Sequence, residues 1–66
     1  MNHTEKQDLI KALSEDRAME YRALGRYVSE TPKDHSEYDT VVSLYIEDIA
    51  DYTAQIDALM EYSQYD

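Results

Sequence analysis

Apolar residues in the second half of the chain recur at alternating steps of three and four. Val42, Tyr45, Ile49, Tyr52, Ile56 and Leu59 follow one another in that rhythm, and Tyr38 extends it backwards. Tyr38, Tyr45, Tyr52 and Leu59 therefore stand seven residues apart, with β-branched residues at the other seam position. Such spacing defines a helix with one adhesive face, in the manner of a coiled-coil heptad. The apolar band also takes in Val41, Ile46, Thr53 and Met60, which is wider than a two-stranded seam requires and suits a bundle of three or more helices.

The first half carries a second, less regular stripe. Leu9, Ile10, Leu13, Leu24, Tyr27 and Val28 share one helical face, with Tyr21 on its border. Arg17 and Glu20 interrupt that face, and a polar layer of this kind fixes register at some loss of stability. With the chain folded back, Asp48 is the expected acceptor for Arg17, and a tyrosine hydroxyl the expected donor to Glu20. Thr4-Glu5-Lys6-Gln7 reads as a capping box, with Asn2 and Glu5 in a second register. Gly25 lies within the pattern, but Tyr27 and Val28 keep the helical phase beyond it.

Between the two patterns stands Glu30-Thr31-Pro32-Lys33-Asp34-His35-Ser36. Pro32 suits the first position of a new turn capped by Thr31, and Ser36-Glu37-Tyr38-Asp39 offers a further cap. The expected domain is single: a helix over about 4–29, a loop over about 30–36 and a helix over about 37–62. So short a link between long helices makes the fold all-α, an antiparallel two-helix hairpin. Two helices side by side bury one stripe each, too little for a 66-residue chain without cysteine. Dimerisation into a four-helix bundle supplies the missing burial, so a homo-oligomer is expected, sealed by Tyr38, Val42, Tyr45, Ile49, Tyr52, Ile56 and Leu59.

Charge sharpens this picture. The net charge is −9, and its distribution is lopsided. Residues 1–33 hold six bases and six acids, whereas residues 34–66 hold nine acids and no base. Solubility alone does not require that segregation. An acidic surface disfavours direct contact with nucleic acid and with anionic membranes. It favours a basic protein surface, such as that of a nucleic-acid-binding protein. The polar opening MNHTEKQD, the want of a long apolar run and the absence of cysteine fit a cytoplasmic protein.

Catalytic chemistry finds no foothold. His3 and His35 lack the Glu-x-x-His spacing of bundle metal sites, no glycine-rich loop is present, and carboxylate pairs lie on an open face. Neither an enzyme nor a cofactor is expected. What remains is the anionic face itself. Glu47 and Asp51, like Asp57 and Glu61, are spaced four apart, or about 6 Å along a helix axis. Neighbouring phosphates on a nucleic-acid strand have a similar separation, so these carboxylates, with Asp48 and Tyr62 beside them, are the candidate partner-binding residues. The terminal stretch Tyr62-Ser63-Gln64-Tyr65-Asp66 is either a further contact patch or a loose end. In size, acidity and helical character the chain resembles small phage- or plasmid-encoded inhibitors that mimic DNA. Two other readings stay open: a structural homo-oligomer whose acids only confer solubility, and an antitoxin or adaptor docking through its apolar helix face.

Overall fold

In a computed structural model, which describes residues 2–62 with the side chain of Tyr62 left out, two helices pack against each other. Helix α1 spans His3–Glu30 and helix α2 spans Tyr38–Tyr62. Contacts between Tyr27 and Tyr38, and between Arg17 and Thr53, make the pair antiparallel. The hairpin is a rod of 50 × 14 × 11 Å. Its radius of gyration is 15.3 Å, against about 11 Å for a compact chain of this length. No helix among the described residues is long and apolar enough to cross a membrane.

Each helix begins and ends for local reasons. Asn2, not Thr4, caps α1: its side chain accepts from the Glu5 backbone N–H at 2.8 Å. The helix runs through Gly25 without a break, and the Ser29 hydroxyl donates to the Gly25 carbonyl at 2.8 Å. It stops at Thr31, which is extended (φ −109°, ψ 128°) because the following Pro32 disfavours the helical region there. The Thr31 N–H still donates to the Tyr27 carbonyl, closing the last turn.

Pro32 does not open α2. It begins a turn in which its carbonyl accepts from the His35 N–H at 3.0 Å, and the His35 carbonyl then accepts from Tyr38. Nor does the Ser36 hydroxyl form the cap expected of it. The His35 ring instead braces the turn before the helix, its Nδ1 accepting from the Glu37 N–H at 3.2 Å. Glu37 then supplies the first helical carbonyl, to Val41. The histidine is exposed, as its loop position suggests, but it is part of the turn that starts α2.

The packing follows one heptad register in both helices. The a positions are Ile10, Arg17, Leu24 and Thr31 on the first strand of the hairpin and Val42, Ile49 and Ile56 on the second. The d positions are Lys6, Leu13, Glu20 and Tyr27 on α1 and Tyr38, Tyr45, Tyr52 and Leu59 on α2. Every one of these residues is buried or half-buried. The most enclosed are Ile56, Lys6 and Ile49, at 3, 4 and 8% exposure. At the loop end Tyr27 stacks on Tyr38, ring centres 6.0 Å apart, and tilts against Tyr45 at 6.4 Å.

Two expectations for the apolar faces change. Leu9 and Val28 are exposed, because they fall one position to either side of the α1 seam, and Lys6, Arg17 and Glu20 take seam positions instead. Within the wide band of α2, Val41 and Thr53 are half-buried, but Ile46 and Met60 are more than half exposed in the single hairpin.

Two substitutions test this packing. Ile56→Ala removes most of a side chain buried at the seam and is expected to destabilise the hairpin by about 2–5 kcal/mol. At Gly25 an added Cβ meets nothing within 4 Å, so Gly25→Ala is expected to stabilise by roughly 1 kcal/mol. Urea unfolding of both variants checks the pair, and a Gly25→Ala chain no more stable than wild type contradicts an uninterrupted α1.

Candidate functional site

The heptad register distributes the side chains of α2 around the rod. Glu47 and Glu61 occupy f positions, pointing directly away from the seam; Asp51 and Asp57 lie at c and b to either side, and Asp48 at g. All five are exposed. The two i,i+4 pairs therefore share the solvent side but lean to opposite flanks, so they wind across the back of α2 and do not form a straight row. Leu44, also exposed, lies beside the pair Asp48 and Asp51. The side chain of Tyr62, and the terminal stretch it begins, lie outside the described residues.

The bases of α1 are placed where they leave these acids alone. Lys11, Arg22 and Arg26 are exposed at b, f and c positions, turned away from α2. Lys6 is enclosed in the seam. Arg17 reaches across the seam, but its guanidinium donates to the Thr53 hydroxyl at 3.1 Å, not to Asp48. The register gives the reason. Thr53 is an e residue and Asp48 a g residue, so they lie on opposite flanks of α2, and Arg17 approaches the e side.

On the g side, carboxylates from both helices gather around Tyr52. Asp48, Asp51, Tyr52 and Gln55 line a shallow cleft of about 270 Å³. The phenol of Tyr52 is held above its ordinary value of 10.0, first by desolvation and then by the charges of Asp16, Glu20 and Asp48. Glu20, for which a tyrosine donor was expected, acts on Tyr52 in this electrostatic way, with no hydrogen bond between them among the described residues. Next along the same flank, Leu9, Leu13, Gln55, Ala58 and Leu59 line an apolar groove of about 380 Å³. The sequence pattern missed the convergence at Tyr52, because Asp16 and Asp48 come together only once the antiparallel register is known. No family model, curated protein or solved structure matches the chain.

The Tyr52 environment has a consequence for pH. Because the folded state holds the phenolic proton longer than the unfolded chain, folding carries no penalty from this group below about pH 10. Stability is lost as pH rises from there through the raised folded value. Tyr52→Phe, which cannot ionise, is expected to lose stability less steeply between pH 9 and 11 in urea unfolding. Equal slopes for both chains contradict the placement of Tyr52 among Asp16, Glu20 and Asp48.

Proposed function

We propose that the chain is a small acidic interaction module that occupies a basic surface on a partner protein, of the kind that binds nucleic acid. It works as a self-associated pair of hairpins, a four-helix bundle with its carboxylates outward. One observation carries the reading. Glu47, Asp51, Asp57 and Glu61 are all exposed, while the exposed α1 bases Lys11, Arg22 and Arg26 face the other way, Lys33 lies in the loop and Arg17 is engaged by Thr53. A protein using acid only for solubility gains nothing from keeping every base off α2. Like charges four residues apart also weaken a helix slightly, and the last turn of α2 holds no base to offset its macrodipole. These are small local losses, compatible with a face shaped for something other than stability.

The structural reading, in which the hairpin only oligomerises, shares the self-association and differs over the acids. Affinity capture from a cell lysate separates the two, using the wild-type chain beside one carrying Glu47→Gln, Asp51→Asn, Asp57→Asn and Glu61→Gln. The inhibitor reading predicts that wild type retains basic proteins, that rising salt or added double-stranded DNA releases them, and that the neutralised chain loses them. Retention unchanged by the four substitutions contradicts it.

A further inference from the structure

The two flanks of the hairpin are unlike, and the difference bears on how two copies meet. In an antiparallel pair the e positions of both helices share one flank and the g positions the other. The g flank carries Asp16 and Glu30 from α1 and Asp48 from α2, with Asp51 adjoining. The e flank carries one carboxylate, Asp39, with Asp57 adjoining, and presents Tyr21, Val28 and Ile46, three large exposed apolar residues, with Ser14 and Thr53 between them.

The rod as a whole leaves too much surface bare. It exposes 5078 Å², whereas a compact monomer of 7.7 kDa exposes about 4,300 Å². The excess, roughly 780 Å², is close to the ~800 Å² that each partner contributes to an interface of standard size. Two chains of charge −9 can come together at modest electrostatic cost only where few carboxylates face each other, and the e flank is that place.

We infer that a second copy of this chain covers the e flank, packing Tyr21, Val28 and Ile46 of each hairpin against the same residues of the other. This rests on the self-association contained in the proposed function and adds which surface it uses. Adding the e positions to a and d gives each helix the broad stripe that a four-helix core demands, and explains why Ile46 is apolar although α1 does not cover it. The Arg17–Thr53 hydrogen bond then lies beside the centre of the contact, where a polar pair sets the register of all four helices. The g flank, the cleft at Tyr52 and the outward acids stay open.

Single thiols test this directly, since the chain has no cysteine of its own. Ile46 and Leu44 are two residues apart and equally bare in the lone hairpin, at 54 and 55% exposure. Ile46→Cys and Leu44→Cys are alkylated side by side over a range of protein concentrations. When nine chains in ten are paired, the thiol of Ile46→Cys is expected to react about tenfold more slowly than that of Leu44→Cys, and dilution removes the difference. Circular dichroism on each variant confirms that it is helical, and Val28→Cys supplies a second e-flank thiol should Ile46→Cys fail to fold. A thiol at 44 that is shielded, alone or together with that at 46, overturns the e-flank assignment and leaves self-association standing. Equal rates at every concentration, with sedimentation giving the mass of one chain, overturn both.

Discussion

Everything in this hairpin follows from how little two helices can enclose. A pair of α-helices laid side by side shares a single seam, and at that seam only Ile49 and Ile56 reach the burial of a true hydrophobic core. The rest of the contact is half-buried aromatic and aliphatic surface, together with three charged residues, Lys6, Arg17 and Glu20. Tyrosine suits this setting because its ring packs while its hydroxyl keeps contact with water at the rim. Four of the chain's seven tyrosines, Tyr27, Tyr38, Tyr45 and Tyr52, stand in this rim-rich seam.

That shortage makes the polar seam residues matter more than their number suggests. Arg17 bonded to Thr53 defines one flank, and the carboxylates around Tyr52 define the other. The rod thereby acquires two chemically different sides in addition to an acidic back. An apolar side with few carboxylates suits a second copy; an acidic side and back suit a basic protein. In the proposed account, the same asymmetry that leaves the lone hairpin under-buried also keeps its two contacts from competing.

Much of the architecture was legible in the chain itself. The three-four rhythm from Tyr38 to Leu59 is unbroken by polar residues, so α2 and its seam could be read directly, and the phase kept by Tyr27 and Val28 carried α1 past Gly25. The α1 seam was harder. Lys6, Arg17 and Glu20 stand at a and d positions, while Leu9 and Val28 stand just outside them, so hydrophobicity alone drew the stripe slightly off axis. The partner of Arg17 was misplaced for a related reason: Asp48 offers the better charge, but geometry within the register favours the hydroxyl of Thr53. Before α2, the side chain that accepts a backbone N–H is the ring of His35, at Glu37, and not the expected serine hydroxyl, a turn contact that capping preferences based on Ser, Thr, Asp and Asn do not anticipate. The gathering of acids at Tyr52 depends on residues more than thirty positions apart and becomes visible only with the fold.

The account stands on the claim that the hairpin completes its burial with a second copy of itself. Thermal unfolding followed by circular dichroism over a hundredfold range of concentration probes that claim most directly. Folding coupled to pairing predicts a melting temperature that climbs steadily with concentration. A melting temperature that stays constant across the range, with full helicity at the lowest concentration, contradicts it.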